Sequence, residues 1–169
     1  ARQFRELIYR EVAPLRQIPC LRFLALDTDP EMIRDATRGN PDTIYTETEV
    51  LLAPLNRPSH YVKPRDGRPP VEKWLNPRLL YRIPRSQVTT GVRALGRLAF
   101  IDSYRAIVQR LETELDALLQ PEALQDSLRN TGLGLRTNRP RIYLLTSLGG
   151  GTGSGMFLDM AYLVRSLLK

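Results

Sequence analysis

Apolar residues recur at helical spacing in three parts of the chain. Near the N-terminus, apolar positions three and four residues apart predict a helix over residues 1–13 that ends before Pro14. The longest pattern begins after Gly91, runs from Leu95 to Leu118 and predicts a helix of about six or seven turns. Pro121, Gly132 and Gly134 then predict a broken connector, and a third predicted helix covers residues 156–168. These three segments supply most of the predicted helical structure.

Two short apolar runs, residues 21–26 and 142–145, predict strands. Both runs are nearly continuous rather than alternating, which is typical of strands buried on both faces of a parallel sheet. The first run stops at Asp27-Thr28-Asp29, and a short helix over residues 31–38 follows, with Asp29 as its cap and Pro30 at its first position. Because parallel strands need helical crossovers, the order of elements predicts an α/β fold with a mostly parallel sheet flanked by helices. In such a sheet the carboxyl ends of the strands form the ligand-binding edge, so residues 27–29 and the glycine-rich segment after residue 145 should meet there.

Between residues 39 and 88 the periodicity decays. Seven of the 13 prolines lie between Pro54 and Pro84, a density that is incompatible with long helices and interior strands. We therefore expect an extended insertion at about 54–84. Either it is a functional or interface element, or it packs on the domain through Tyr61, Trp74 and residues 79–81.

Composition excludes several classes of protein. The 169 residues are 42% hydrophobic and 25% charged, as in a globular domain, and no window is apolar enough to span a membrane. Cys20 is the only cysteine, which rules out an intramolecular disulfide and a multi-cysteine metal site and favours a cytoplasmic location. His60 has no nucleophile or carboxylate at a telling spacing, so we expect a surface histidine.

The charge of the chain is strongly positive. The formal net charge is +7, and 22 of the 25 basic residues are arginine. Because the arginines are spread over the whole length, this pattern favours a solvated basic surface over nucleic-acid binding.

Residues 147–156 (SLGGGTGSGM) carry the most specific chemistry in the sequence. Glycine removes the Cβ that would keep a ligand from the main chain, and the helix that follows adds unpaired N–H groups and a positive dipole end. Thr152 and Ser154 add hydroxyl donors. The segment therefore predicts a phosphate cradle. The alternative, a linker or packing turn, is disfavoured by its position between a predicted buried strand and an apolar helix.

Two common phosphate-binding patterns do not fit this segment. The pattern G-x-x-x-x-G-K-[ST] fails because neither Gly153 nor Gly155 is followed by lysine. The dinucleotide pattern G-x-G-x-x-G fails because Ser154 and Met156 occupy the positions of its last glycine.

Residues 149–155 (GGGTGSG) match the signature of the tubulin and FtsZ superfamily residue for residue, and Thr146-Ser147-Leu148 is especially similar to eukaryotic tubulins. The order of elements over residues 1–38 and 88–169 also resembles that family. The resemblance implies a partial, Rossmann-like GTPase domain over residues 1–169. It is most similar to the large bacterial tubulin-like proteins, whose nucleotide domains carry insertions.

The resemblance also implies a set of nucleotide-binding residues. Residues Gly149, Gly150, Gly151, Thr152, Gly153 and Ser154 would hold the α- and β-phosphates of GTP or GDP, with or without Mg²⁺. Asp27 and Thr28 would lie near the sugar and phosphates, and Thr89-Thr90-Gly91 resembles the loop that faces the γ-phosphate.

Three further residues have alternative roles. Asp29 is as well explained by a helix cap as by a ligand contact, and Arg93 and Arg97 either neutralise phosphate or lie in water. We expect no metal ligands from the chain itself.

The chain departs from the family pattern at both ends. In the family a first strand and another glycine loop precede the helix that begins here at Ala1. Base-contacting segments, a central helix and a second domain follow the point where this chain ends. The second domain carries the acidic loop that activates water in the next subunit of a filament. The resemblance therefore implies no catalytic residue in this chain, and GTP hydrolysis only in the complete, assembled protein.

Three functional hypotheses follow. The first is a GTP-binding domain of a cytoskeletal-type protein that assembles head to tail into filaments, with nucleotide at the subunit junction. The second is a degenerate scaffold without hydrolysis, which the single glycine of residues 89–91 favours slightly. The third, an α/β enzyme using a dinucleotide, is disfavoured by the failed glycine pattern.

Overall fold

The structure is a computed structural model that describes residues 2–62, 71–133 and 139–169. These residues form a mixed α/β arrangement of six α-helices, two short strands and four single-turn or two-turn 3₁₀ helices. The helices are α1 (Arg2–Glu11), α2 (Pro30–Ala36), α3 (Pro58–Val62), α4 (Arg93–Leu119), α5 (Pro121–Thr131) and α6 (Thr152–Leu167). The strands are β1 (Ala25–Asp27) and β2 (Val50–Leu52). The 3₁₀ helices are Leu15–Gln17, Glu47–Glu49, Val71–Lys73 and Pro77–Arg82.

The two strands form a parallel pair, with Ala25 opposite Val50 and Asp27 opposite Leu52. Helix α2 lies in the crossover between them, as a parallel connection requires. Asp29 caps α2 by accepting a hydrogen bond from the backbone N–H of Glu31, and Pro30 is the first helical residue. The predicted cap is therefore confirmed. The helices and the small parallel sheet are compatible with the predicted α/β fold, whereas a larger Rossmann-like sheet stays a prediction.

The predicted strands are wrong in extent. The first is regular only from Ala25, because residues 21–24 form no ladder; Leu21 and Phe23 instead pack on the small cluster of Ile8, Ala13 and Ile18. Strand β2 was not predicted, because three residues are too few to show a period. The region between Gly39 and Val88 is thus not wholly irregular.

The second predicted strand, residues 142–145, is not a strand in this structure. Its side chains are exposed, Tyr143 at 76% and Leu145 at 69%. Apolar composition predicted burial on both faces, but no segment among the described residues pairs with it or covers it.

The helices follow the sequence more closely. The predicted N-terminal and long helices are confirmed as α1 and α4. Helix α5 was missed because Pro121 and Gly132 looked like breakers, whereas they are its ends: Pro121 is its first residue, and Gly132 terminates it at φ 69°. Gly134, also expected in a connector, lies outside the described residues.

The main core lies between α4 and α6 and continues under the proline-rich insertion. Leu95, Leu98 and Ile107 of α4 are almost fully buried, and Met156 and Leu163 of α6 pack in the same cluster. The insertion adds buried residues to this core: Leu55, Tyr61, Leu75, Leu80 and Ile83.

The described part of the insertion therefore packs on the domain, as one of the two alternatives predicts, with one exception among the named side chains. Trp74 and Leu79 are half-buried against the core, whereas Tyr81 is 75% exposed. A polar cluster adds to the attachment: the Tyr61 hydroxyl donates to Asp102 Oδ2 on α4, and Asn56 Nδ2 donates to the same oxygen at 3.0 Å.

A second cluster fastens α1 to the segment before β2. The buried guanidinium of Arg5 donates to both carboxylate oxygens of Glu49, at 2.9 and 3.1 Å, and to the carbonyl of Thr43. It also contacts the rings of Phe23 and Tyr45, at 4.8 and 4.5 Å from their centres. None of the helices that the structure describes has both the length and the apolarity to cross a membrane.

Candidate functional site

The structure brings three of the predicted site regions together around one side chain, that of Thr152. Thr152 is the first residue of α6, directly after the glycines that follow Ser147. Its hydroxyl contacts Thr28 at the end of β1 and Thr89 in the turn before α4. The three threonines are all buried. The predicted meeting of Asp27, Thr28, residues 89–91 and the glycine segment at one end of the fold is thus observed.

Donor and acceptor chemistry fixes the direction of this network. Asp27 is a carboxylate and only accepts, so the Thr152 hydroxyl donates to Asp27 Oδ1, at 3.1 Å. Thr28 and Thr89, whose Oγ1 atoms lie 2.8 and 3.1 Å from that of Thr152, then act as its donors. Asp27 Oδ1 also accepts the N–H groups of Thr28 and Asp29. The end of β1 is thereby fixed to the start of α6.

This network changes what the hydroxyls are available for. A hydroxyl can donate one hydrogen bond and accept two, and the Thr152 hydroxyl makes all three within the chain. The Ser154 hydroxyl donates to the carbonyl of Gly150. The hydroxyl donors predicted for a ligand are therefore engaged internally, which leaves backbone N–H groups as the donors of this segment.

Those N–H groups are available at the start of α6. The first backbone hydrogen bond of this helix runs from the Gly155 N–H to the Gly151 carbonyl, so the N–H groups of Thr152, Gly153 and Ser154 have no intrahelical acceptor. Among the residues that the structure describes, no side chain caps this end. Helix starts with free N–H groups and a positive dipole end favour anions.

The start of α4 lies beside the start of α6. A Cβ built on Gly151 would lie 2.9 Å from the backbone nitrogen of Val92, the residue before α4. Helix α4 also has no side-chain cap, and Arg93, its exposed first residue, pairs with no carboxylate in the described part of the chain. A cation at the positive end of a helix is unfavourable by itself, so this pairing of Arg93 with two helix starts suits a bound anion.

Arg97, one turn further along α4, is engaged within the chain. Its Nε lies 3.2 Å from Asp159 Oδ2, and its guanidinium lies 5.4 Å from the centre of the Trp74 ring. The alternative of a phosphate contact therefore applies to Arg93 rather than to Arg97.

The turn between Thr89 and Val92 has an unusual backbone. Thr90 and Gly91 have φ of 47° and 80°, and the Val92 N–H donates to the Thr89 carbonyl at 2.9 Å. Positive φ at both central positions is the requirement of a type I′ turn. Gly91 adopts it freely, but a β-branched residue there is strained by about 1–3 kcal/mol. The buried Thr89 and the start of α4 hold this turn in place.

The glycines of the segment fall into two groups. A Cβ on Gly151 would lie 2.5 Å from Thr89 Oγ1, one on Gly153 would collide with the Thr146 side chain, and one on Gly155 would collide with the Arg93 carbonyl. In contrast, a Cβ on Gly150 would have nothing within 4 Å, and one on Gly149 would meet only Ser147 Oγ, at 3.7 Å. Packing explains the first group and leaves the second unexplained.

Helix α6 begins four residues before its predicted start because Gly153 and Gly155 are part of it. Gly155 faces α4, where a further glycine, Gly96, allows the close approach: a Cβ on Gly96 would collide with the Gly151 carbonyl. Gly96 was not singled out in the sequence. The sequence did contain an indication of this close contact, because an isolated glycine on the apolar side of a long helix often has a packing role.

The carboxylates near the site do not form a metal centre. Asp29 caps α2, and Asp27 uses Oδ1 within the chain, whereas Oδ2 accepts from no described residue. Across residues 2–62, 71–133 and 139–169, no group of three or more His, Cys, Asp or Glu side chains is placed to hold a metal ion. The residues present fit an anionic group, and a Mg²⁺ ion would rely on that group's oxygens and on water.

Cys20 and His60 have structural surroundings. The Cys20 N–H donates to Ser127 Oγ on α5, at 3.0 Å, and the side chain is half-buried. The ring of His60 lies edge-on to that of Tyr61.

Comparison with known proteins gives one match. A protein-family model described as "Tubulin like" matches residues 1–169, the whole of this chain. No curated protein and no solved structure gives a significant match.

Proposed function

Since this chain belongs to the tubulin-like family, we propose that it binds a guanine nucleotide through its glycine segment, within a larger cytoskeletal-type protein of the FtsZ and tubulin kind. That protein assembles head to tail, with the nucleotide at the junction between subunits. The observation that carries the proposal is the pairing of two uncapped helix starts, those of α4 and α6, beside the open positions Gly149 and Gly150.

The phosphates are the part of the nucleotide that this geometry suits best. Free N–H groups at the start of α6 and the positive dipole ends of two neighbouring helices stabilise negative charge, and Arg93 adds a full positive charge. Gly149 and Gly150 leave the main chain accessible because no side chain stands in front of it. Each interaction is stronger for a triphosphate than for an uncharged ligand.

The remaining predicted residues act mainly by positioning. Asp27 and Thr28 hold Thr152, and through it the first turn of α6, at a fixed distance from the end of β1. Asp27 Oδ2 is the carboxylate oxygen left for the sugar or for a hydrated Mg²⁺ ion. By the resemblance of residues 89–91 to the family's loop, the turn at Thr90 and Gly91 would face a terminal phosphate. The choice of guanine as the base rests on the resemblance of residues 149–155 to the tubulin and FtsZ signature. By the same resemblance, hydrolysis would require an acidic loop that the complete protein supplies.

A scaffold domain that has lost its nucleotide is the second candidate. The feature that favours it is the turn before α4, where the strained Thr90 occupies a position that glycine would adopt without cost. A turn with fewer glycines leaves less room for a phosphate to approach the backbone.

The first experiment is chromatography of the small molecules released when the purified protein is denatured, against guanine and adenine nucleotide standards. The proposal predicts GDP or GTP, and equilibrium binding of added GTP that excess ATP does not displace. An empty chromatogram together with no binding of added GTP would leave the scaffold as the function.

A matched pair of variants locates the binding. Arg93→Gln removes the unpaired cation at the start of α4, and Arg165→Gln removes an exposed cation from the last turn of α6. Both change the net charge equally. We expect Arg93→Gln to weaken GTP binding about tenfold, the order of one charge-assisted hydrogen bond, and Arg165→Gln to leave it unchanged.

Assembly is tested separately by sedimentation with GTP, GDP or no nucleotide. GTP-dependent pelleting supports head-to-tail assembly, and nucleotide binding without pelleting restricts the proposal to binding.

A further inference from the structure

The basic residues of this chain are not equally neutralised. Ion pairs engage arginines in most parts of the described chain; these are Arg5, Arg10, Arg16, Arg22, Arg34, Arg97, Arg110 and Arg129. Arg78, Arg82 and Arg85 form no ion pair among the described residues, and all three are exposed. Other exposed arginines also form no ion pair among the described residues, but they lie far apart along the chain; these are Arg38, Arg57, Arg93, Arg105, Arg141 and Arg165. Arg78, Arg82 and Arg85 differ because they lie within eight residues of one another.

This concentration belongs to the segment from residue 73 to residue 85, which has four basic residues and no acidic one. Tyr81 stands between the arginines, with 75% of its surface exposed. We call Arg78, Tyr81, Arg82 and Arg85 the arginine surface. It combines planar cations with an exposed aromatic ring on a short stretch of chain.

The backbone beneath the arginine surface is fixed. Leu75, Leu80 and Ile83 alternate with its members and are buried in the main core. Asn76 caps the 3₁₀ helix Pro77–Arg82 by accepting the N–H of Arg78 at 3.0 Å. In a 3₁₀ helix the repeat is about three residues, so Arg78 and Tyr81 lie one turn apart on the same side. The cations and the ring are thus presented by a packed element.

We propose that the arginine surface binds single-stranded nucleic acid. The arginines would contact successive phosphates, and a base would stack on the ring of Tyr81. Separated cations interleaved with an exposed aromatic side chain are the general requirement for binding single strands without sequence preference. The arginine surface shares no residue with the glycine segment, and the proposal does not depend on the proposed nucleotide function.

The test measures the fluorescence anisotropy of a labelled oligothymidylate with the full chain, with excess GTP in every sample so that the glycine segment does not contribute. The main variant carries Arg78→Gln, Arg82→Gln and Arg85→Gln. Its matched control carries Arg10→Gln, Arg34→Gln and Arg129→Gln, which remove the same charge from exposed arginines that have carboxylate partners.

We expect the main variant to weaken binding at least about tenfold. It should also reduce the slope of log affinity against log salt concentration by about 2, because each of the three lost phosphate contacts contributes about 0.7. The control should change the affinity less than about twofold. Tyr81→Ala should weaken binding about fivefold or more, whereas Tyr81→Phe, which keeps a ring for stacking, should not.

Three results would overturn the proposal. The first is no binding of the oligonucleotide by the wild-type chain. The second is an equal loss in both triple variants, which would mean that only net charge matters. The third is displacement of the oligonucleotide by polyglutamate together with no effect of Tyr81→Ala, which would identify a surface for acidic polypeptides. Circular dichroism of each variant confirms that the fold is retained.

Discussion

The glycine segment has a packed end, formed by Gly151, Gly153 and Gly155, and an open end, formed by Gly149 and Gly150. The absence of a side chain has a different consequence at each end. At Gly151, Gly153 and Gly155 a Cβ would collide with Thr89, Thr146 and the backbone of α4. At Gly150 it would meet nothing within 4 Å. At the packed end, the missing side chains allow the helices to approach each other closely. At the open end, they leave the main chain accessible to a ligand. A run of glycines is therefore ligand evidence only at the positions that packing does not explain.

The largest expected effect breaks the packed end. Gly155→Ala places a methyl group against the Arg93 carbonyl and the Gly96 backbone, neither of which can move without separating α4 from α6. We expect a loss of about 3 kcal/mol or more in the free energy of unfolding, or failure to fold. Urea denaturation measures it, and wild-type stability would contradict the close approach of the two helices.

The next effect concerns the threonines that fasten the packed end to β1. Thr152→Val keeps the shape but leaves the buried hydroxyls of Thr28 and Thr89 without their acceptor. We expect a loss of about 1–3 kcal/mol in unfolding free energy, with Thr152→Ser much closer to wild type. If valine and serine have equal effects, the hydroxyl network does not stabilise the protein.

A smaller effect tests the attachment of α4 to the proline-rich insertion through the hydrogen bond from Tyr61 to Asp102. Burial, and then the hydrogen bond to Asp102, raise the pKa of Tyr61 above its ordinary value of 10.0. As the pH rises, the Tyr61 hydroxyl loses its proton in the unfolded chain at a lower pH than in the folded protein. The free energy of unfolding is therefore constant with respect to this group below pH 10 and falls above pH 10, by about 1.4 kcal/mol at pH 11.

Tyr61→Phe should remove that part of the alkaline decline, as measured by urea denaturation between pH 8 and pH 11. Burial also raises the pKa of Tyr45, so a shallower decline should persist in the variant. Identical pH profiles for wild type and variant would show that Tyr61 does not hold α4.

The smallest effect belongs to the open end. Gly150→Ala adds a methyl group that meets no neighbour, and the backbone at Gly150 is outside the region of positive φ. We expect a change of less than about 0.5 kcal/mol in unfolding free energy. A loss as large as that of Gly155→Ala would remove the distinction between the two ends.

The sequence predicted best what depends on local patterns. Helices α1 and α4, the Asp29 cap and the meeting of Thr28 with the glycine segment all follow from periodicity, capping chemistry and the order of elements. The limits of α6 were less accurate, because Gly155 reads as loop until the contact with Gly96 is known.

Features that need a partner were not predictable. Residues 142–145 have the composition of a buried strand, but a strand requires a neighbouring ladder, which the described residues do not provide. Likewise, the hydroxyls of Thr152 and Ser154 suggested ligand donors until their internal acceptors were seen.

The most direct measurement of the central claim is GTP binding by Gly150→Asp. This variant places a carboxylate at the open end. Gln125→Asp places the same charge at an exposed position of α5, which follows the C-terminal end of the 27-residue α4, a helix about 40 Å long. Titration of a fluorescent GTP analogue should show at least about a tenfold loss for Gly150→Asp and none for Gln125→Asp, with unchanged unfolding free energies. Equal GTP affinity in Gly150→Asp and wild type would contradict the account.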